Sequence, residues 1–493
     1  MAAAEGGDHY EAIIVGSGQG GTPLAAAFAK AGKRTLLVEE KHIGGTCVNE
    51  GCTPTKTMVA SARVANLTVR GPEYGVRYKR SSLMLELDTV RKRKRDIVES
   101  FRGGSEKRLA SEANLEVLHG RGKFVGKRKL EITSTGTSSP GFVGSTRTVT
   151  GSKIFLNVGC HPAPLNVKNA DKIPHLNSTT IMELAEVPKH LIIIGGGPIG
   201  LEFGQMFRRF GAKVSIVQHG PRLLPREDED VSAAVKHILE EDNIDVYVNA
   251  TVREISRVPT GLTVVSVALP KKASADEEEI SVKTLTCSHI LAAAGRAPNT
   301  AELGLESAGV DVDGRGFVKV DENLETSASG IYSLGDVNSG SPQFTHISYD
   351  DFRILKHNIL DNPNAKPKST TGRIVANVTF MDPQIGRVGE TVASAKKRWP
   401  GRKLAIASMP MTWVARALEV NETRGLMKGM VDKETGEILG FVCVGIEGGE
   451  LMSVVQMAML GGLRYTDLEN AVFAHPTLAE SLNNLWGNLE DLP

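Results

Sequence analysis

A chain of 493 residues exceeds one ordinary hydrophobic core, so about two to four domains are expected. With 41% apolar and 23% charged residues it has the balance of a soluble globular protein, and a net charge of +1 argues against a nucleic-acid or membrane-surface role. No apolar run is long enough to span a bilayer, and the first residues carry neither a basic nor an apolar signal region, so the cytoplasm is the expected compartment.

In chain order, Tyr10–Val15 reads as a strand, Gly16–Gly21 as a tight turn, Thr22–Ala31 as a helix of small residues and Arg34–Glu39 as the next strand. Residues 86–109 form an amphipathic helix whose run Arg91-Lys92-Arg93-Lys94-Arg95 reads as a solvated face rather than an anion site. Ser134–Gly151 and Lys271–Glu279 read as surface hairpin loops. Residues 189–218 repeat the opening plan: strand His190–Ile194, turn Gly195–Gly200, a helix to Phe210, strand Lys213–Val217. From about Thr371 the texture changes to a separate α+β region, with strands Val375–Phe380 and Ile438–Val444 and a helix over Gly449–Leu460.

Both βαβ segments carry a Gly-x-Gly-x-x-Gly fingerprint. In Gly16-x-Gly18-x-x-Gly21 the first glycine permits the turn, the second lets backbone approach a pyrophosphate, and the third allows close helix–strand packing. The helix N-terminus offers free N–H groups and a positive dipole end to phosphate. Glu39 ends the second strand, where a carboxylate accepts ribose hydroxyls. The second copy is Gly195-x-Gly197-x-x-Gly200, and Gln218 follows Gly195 at the interval by which Glu39 follows Gly16. An uncharged Gln218 does not repel a 2′-phosphate, and His219, Arg222 and Arg226 are cations able to hold one; the alternative is that they are ordinary surface charges.

Five cysteines make no disulfide framework for this length, but Cys47 and Cys52 lie close together in Gly44-Gly45-Thr46-Cys47-Val48-Asn49-Glu50-Gly51-Cys52-Thr53-Pro54-Thr55-Lys56. On an ideal helix their Cα atoms would be about 8–9 Å apart, beyond the roughly 7 Å a disulfide tolerates. A bond between them requires distorted backbone, which Gly51 and Pro54 ease, and a strained accessible disulfide is easily reduced. Gly44-Gly45 admits a bulky ring close to the backbone. The rival reading is a metal site, for which His42 is the one nearby extra ligand. Cys160, Cys287 and Cys443 read as small buried hydrophobes. In His475-Pro476-Thr477-Leu478-Ala479-Glu480 an imidazole can meet a carboxylate that orients it for proton transfer, a structural histidine being the alternative.

The Gly44–Lys56 run, both glycine fingerprints, Ala294-Gly295-Arg296-x-Pro298-Asn299, Gly335-Asp336-Val337 and His475-Pro476-x-x-x-Glu480 resemble, in order, the class I flavoprotein disulfide reductases of the pyridine nucleotide-disulfide oxidoreductase family. That family includes dihydrolipoamide dehydrogenase, glutathione reductase and mercuric reductase. The resemblance runs from about Tyr10 to Leu485, and Thr53–Ala62 and Phe344–Asp351 look most like the mercuric-reductase-like branch. It implies an α/β fold of two Rossmann-like dinucleotide-binding domains plus a C-terminal α+β dimerisation domain. The expected division is 1–165 and 290–365 for FAD, 166–289 for NAD(P), and 366–493 for dimerisation. The implied activity passes electrons between nicotinamide, flavin and a Cys47–Cys52 redox disulfide to a small disulfide or dithiol, in a homodimer with no resident metal.

By the same resemblance Cys52 is the flavin-proximal thiolate and Cys47 the interchange thiol. His475, oriented by Glu480, is the acid/base supplied across the dimer, and Lys56 and Glu202 pair beside the flavin. FAD is held by Gly16, Gly18, Gly21, Glu39, Gly45, Thr46, Lys56, Gly122, Gly335 and Asp336. The nicotinamide dinucleotide is held by Gly195, Gly197, Gly200, Gln218, His219, Arg222, Val252 and Gly295, with NADPH preferred over NADH. The tail Asn483–Pro493 lacks the cysteine pair with which mercuric reductases deliver Hg(II), which weighs against efficient Hg(II) reduction. The alternative activities are a soft-metal-ion reductase, a dihydrolipoamide dehydrogenase-like component, and an oxygen-coupled dithiol oxidase.

Overall fold

The computed structural model describes residues 8–79, 83–136, 142–258, 261–270 and 280–492. They fall into two compact units. The first comprises residues up to Thr57, Arg91–Ala163 and Gly295–Arg373; the second comprises Met58–Val90, Pro164–Ala294 and residues from Ile374. No helix among the described residues is long and apolar enough to cross a membrane.

The first unit is built on strand β1 (Asp8–Val15), helix α1 (Gly21–Lys30) and strand β2 (Thr35–Glu39). Helix α2 (Gly45–Asn49) follows; helices α3 (Cys52–Arg70) and α4 (Leu87–Ala110) each belong partly to this unit, through Cys52–Thr57 and Arg91–Ala110; then come strands β3 (Leu115–Gly126), β4 (Lys129–Ser134) and β5 (Thr146–Leu156). β1 runs parallel between β2 and β5, β3 is parallel to β2, and Ile331–Ser333 is parallel to β5. Alternation along β1 sends Ile13 into one apolar layer and Ala12 and Ile14 into the other, so the strand is buried on both faces, as parallel sheets require. Leu24, Ala25, Ala26 and Phe28 of α1 fill the second layer, their small members letting the helix approach the sheet.

Two expectations need correction here. Thr146–Gly151 is not loop but part of β5, paired with both β1 and β4; apolar Val149 is fully buried, so the Ser/Thr richness marks a strand with one wet face. The basic run of α4 is not wholly solvated either. Lys94 is buried, and the Arg93 guanidinium donates to the Thr57 carbonyl at 2.9 Å, so this helix face is packed. The expected loop at Lys271–Glu279 lies outside the described residues.

The second unit repeats the βαβ plan with strands His190–Ile194 and Lys213–Val217 around helix Pro198–Arg209. These two strands are the inner pair of a four-stranded parallel sheet whose edges are His289–Ala292 and Asp245–Tyr247. Thr251–Arg257, Thr263–Pro270 and Ile280–Cys287 form an antiparallel three-stranded sheet. Residues beyond Ile374 form the expected α+β region. Its six antiparallel strands run in the order Ala376–Thr379, Gln384–Gly389, Ile438–Gly445, Leu426–Asp432, Leu404–Pro410, Leu489–Asp491, with helix Gly448–Leu460 packed on Gln384–Gly389 and Ile438–Gly445.

A buried ion network crosses this unit. Arg209, 5% exposed, bonds the Asp382 carboxylate at 2.5 Å and its carbonyl at 2.9 Å. Arg424 reaches Asp242 at 2.9 Å and Glu422 at 2.7 Å, and Gln205 bridges Asp242 and the Asp382 carbonyl. Gln205 and Arg209 are thus tied, one turn apart on helix Pro198–Arg209, to the region beyond Ile374.

Candidate active site

The two glycine fingerprints are built alike. Gly16 and Gly195 have φ of +100° and +120°, and a Cβ on either would meet a carbonyl oxygen of the crossing strand end, Asn157 at 2.3 Å or Ala293 at 2.4 Å. A Cβ on Gly21 or Gly200 would stand 2.1 Å from the carbonyl oxygen of Gly16 or Gly195. The first and third glycines are therefore demanded by backbone contact in both units, while Gly197 has open space around it. The positional twins also match: Glu39 Oε2 accepts the Ser17 amide at 2.9 Å, and Gln218 Oε1 accepts the Gly196 amide at 2.8 Å. Each side chain is held at the loop where a ribose would sit.

Asn157, which the sequence pattern did not single out, organises the first loop. Its Oδ1 accepts the Gly21 amide at 2.8 Å and its Nδ2 donates to the Leu334 carbonyl at 2.9 Å. A polar residue ending the apolar run Ile154-Phe155-Leu156 is the signal that marks it.

The loop that carries Cys47 packs directly on this fingerprint. Gly44 donates its amide to Ser17, and a Cβ on Gly45 (φ +61°) would lie 2.7 Å from the Gly18 Cα. Gly44-Gly45 thus serves close backbone approach. The predicted distortion between the cysteines is present: α2 ends at Asn49, Glu50 leaves helical geometry at φ −135°, and α3 starts at Cys52. Asn49 pins the loop by donating to the Ile43 and Gly45 carbonyls, while its Oδ1 accepts from Arg102 of α4 at 2.8 Å. Thr46 accepts the Glu50 amide through its carbonyl.

No disulfide joins Cys47 and Cys52 here. Hydrogen bonding with the Cys52 side chain, then burial and the charge of Cys52, push the Cys47 thiol well above the ordinary range; Thr345 and Lys56 work against the shift. Cys52 Sγ lies 3.1 Å from Thr345 Oγ1. Thr345, far away in sequence, begins the helix Thr345–Lys356 and carries no local signal of its role. Burial pushes the Cys160, Cys287 and Cys443 thiols up to about 12, so these are the inert small hydrophobes expected. No cluster of three or more His, Cys, Asp or Glu suited to a metal occurs among the described residues.

Asp336 follows Gly335 (φ +82°); burial raises its carboxyl pKa against the nearby Arg296, whose Nε is buried without a hydrogen-bond partner. Gly335 donates its amide to Asp351 at 2.9 Å. Gly295 accepts the Ala163 amide through its carbonyl. Gly122 sits in β3 with ordinary packing room against Val15 and Val38. These backbone cradles, the unpaired Arg296 donor and the acid groups fit a dinucleotide with a pyrophosphate and polyol hydroxyls.

In the second unit His219 pairs with the Thr251 hydroxyl at 2.9 Å, next to Val252, and the Arg222 Nε is buried without a hydrogen-bond partner. Glu202 is buried and accepts the Phe380 amide at 2.8 Å, whereas Lys56 lies in the first unit, one turn beyond Cys52. His475 Nδ1 lies 2.9 Å from Glu480 Oε2; a carboxylate only accepts, so Nδ1 carries the proton and Nε2 is the basic nitrogen. The imidazole is 72% exposed while Glu480 is 20% exposed, leaving an oriented base facing outward.

Comparison with known proteins agrees with this geometry. The family described as pyridine nucleotide-disulphide oxidoreductase matches residues 10–351, and its dimerisation domain matches residues 375–485. The chain is 34% identical to the probable pyridine nucleotide-disulfide oxidoreductase RclA of Escherichia coli, over 97% of this chain and 98% of that protein. It is 31% identical to dihydrolipoyl dehydrogenase of Thermus scotoductus, covering 96% of each. It is 30% identical to mercuric reductase of Bacillus cereus, over 97% of this chain and 71% of that protein. The solved structure of RclA, described as an HOCl-induced flavoprotein disulfide reductase, superposes with a TM-score of 0.82 at 34% identity over 97% of this chain and 99% of that chain. The chain therefore belongs to the pyridine nucleotide-disulphide oxidoreductase family, whose members work with FAD and a pyridine nucleotide, and is a flavoprotein disulfide oxidoreductase.

Proposed function

We propose that this protein carries electrons from NADPH to a small disulfide through the Cys47–Cys52 pair, as a homodimer. The observation that carries the reading is the sulfur pair itself, Cys47 in α2 and Cys52 at the start of α3 beside Thr345, on a loop packed against Gly18. FAD, when bound, would relay two electrons from the nicotinamide to that pair. Gly16, Gly18, Gly21, Glu39, Gly45, Thr46, Lys56, Gly122, Gly335 and Asp336 would hold it. The expected division stands with this reading: 1–165 and 290–365 for FAD, 166–289 for NAD(P), 366–493 for dimerisation.

Two electrons and one proton cleave the Cys47–Cys52 bond to a Cys52 thiolate and a Cys47 thiol. The partner subunit's His475 takes the Cys47 proton at Nε2, and the Cys47 sulfur attacks one sulfur of the substrate. The leaving thiolate takes that proton back, and the Cys52 thiolate then displaces the second substrate sulfur from Cys47 as a thiolate, which takes its proton from solvent. The exposed imidazole backed by Glu480 suits such a role across a dimer. Lys56 adds positive charge that favours thiolate.

The preference for NADPH rests on an uncharged Gln218 and the unpaired Nε of Arg222. Gln218→Glu keeps the acceptor for the Gly196 amide but adds a negative charge. The ratio of kcat/KM for NADPH over NADH is expected to fall by roughly tenfold or more; an unchanged ratio would remove Gln218 from nucleotide choice.

A second reading has a soft metal ion as electron acceptor, favoured by a solved RclA structure described as a Cu(II) complex and by the likeness to mercuric reductase. Stopped-flow reoxidation of the two-electron-reduced protein separates the readings. Glutathione disulfide, lipoamide and small cyclic disulfides are compared with Cu(II) and Hg(II). Fastest reoxidation by one of the disulfides supports the first reading. Fastest reoxidation by a metal ion, with the disulfides inert, replaces it with the second.

A further inference from the structure

We infer that Thr345 is a positioning residue whose hydroxyl donates to the Cys52 thiolate of the reduced pair and so stabilises it. The inference rests on the redox-pair reading above and adds to it the donor that holds the thiolate. Three features converge on one sulfur. Cys52 is the first residue of α3, a 19-residue helix, so its side chain stands at unsatisfied N–H groups and a positive dipole end. Thr345 is likewise the first residue of a 12-residue helix. Its hydroxyl is 3.1 Å from Cys52 Sγ, a hydrogen-bonding contact in which a thiolate can only accept. Cys47, by contrast, lies in the middle of the five-residue α2.

Lys56 lies one turn along α3 and its field reaches Cys47; Glu50 precedes the start of α3; His346 follows Thr345. Lys56 favours thiolate at either sulfur and so does not choose between them. The start of α3 biases the charge toward Cys52, and the Thr345 hydroxyl stabilises it there. A hydroxyl so placed stabilises the reduced form as well as the thiolate.

Equilibration with glutathione reads this directly. The Cys47–Cys52 bond breaks, one glutathione disulfide bond forms, and two glutathione thiols supply two electrons and two protons. One proton stays on Cys47, and the other is released as Cys52 remains a thiolate.

The test uses flavin-loaded protein and the isosteric Thr345→Val, with Thr345→Ala as a second removal of the hydroxyl and Thr345→Ser as its restoration. The long-wavelength absorbance of a thiolate beside oxidised flavin is titrated with pH. Its midpoint is expected to rise by about one unit in Thr345→Val and Thr345→Ala and to return to the wild-type value in Thr345→Ser. The fraction of disulfide is measured by quench-labelling and mass spectrometry against graded glutathione ratios, at pH above both midpoints. The constant is expected to shift tenfold toward disulfide, equivalent to about 30 mV for a two-electron couple. Unmoved midpoint and constant in both removal variants, or a shift that serine does not reverse, would overturn the role of Thr345. Absence of the long-wavelength band in wild type is a different failure, since it would sink the redox-pair reading itself.

Discussion

Cys47→Ser and Cys52→Ser are both expected to lower disulfide-reducing turnover by on the order of a thousandfold or more, because each removes a bond-forming sulfur rather than a tuning group. The two variants should differ in everything else. Cys47→Ser retains the sulfur at the start of α3, in contact with Thr345, and so keeps the thiolate absorbance beside flavin. Cys52→Ser keeps the sulfur of α2 and loses that absorbance. Steady-state kinetics with the best disulfide, paired with static spectra, check both halves. Equal spectra in the two variants would mean that the sulfurs are not differentiated. Residual turnover above a tenth of wild type in either would mean that electrons reach the acceptor by another route.

The largest effect on stability is expected at Arg209. Its guanidinium is 5% exposed and bonds an Asp382 carboxylate that is itself 15% exposed. Removing it by Arg209→Ala leaves a nearly buried carboxylate without its main partner, which costs about 3–5 kcal/mol. Arg424 and Gln205 still reach the Asp382 carbonyl, and Arg63 remains 4.0 Å from its carboxylate, a weaker contact than the 2.5 Å pair that is lost. The exposed pair Arg416–Glu419 is the internal control, since Arg416→Ala should change stability by less than about 1 kcal/mol. Urea unfolding midpoints of the flavin-loaded protein measure both. Equal effects from the two substitutions would show that the network is not a stabilising element.

What was legible in the sequence follows the range over which the physics acts. The glycine fingerprints are short-range devices: Gly16 and Gly21, or Gly195 and Gly200, must lack a Cβ because backbone lies within 2.1–2.4 Å of where it would stand. That requirement leaves a fixed spacing any reader can find. The broken helix between Cys47 and Cys52 was likewise visible, since five-residue spacing on a regular helix is incompatible with sulfur–sulfur contact. Thr345 was not, because its meeting with Cys52 joins residues 293 positions apart and no local pattern announces it. Asn157 and Arg102 were hidden for the same reason. Lys94 was misread because a run of five cations looks uniformly wet, whereas a helix turns one of them inward. The Ser/Thr-rich residues 146–151 were misread because composition masked the period-two burial of a strand.

Anaerobic mixing of the oxidised, FAD-loaded wild-type protein with one equivalent of NADPH, followed by rapid alkylation and peptide mass analysis, asks where the first electron pair comes to rest. Two newly labelled thiols, at Cys47 and Cys52, with the flavin chromophore still oxidised, is the predicted result. A bleached flavin over an unlabelled, intact sulfur–sulfur bond would contradict it.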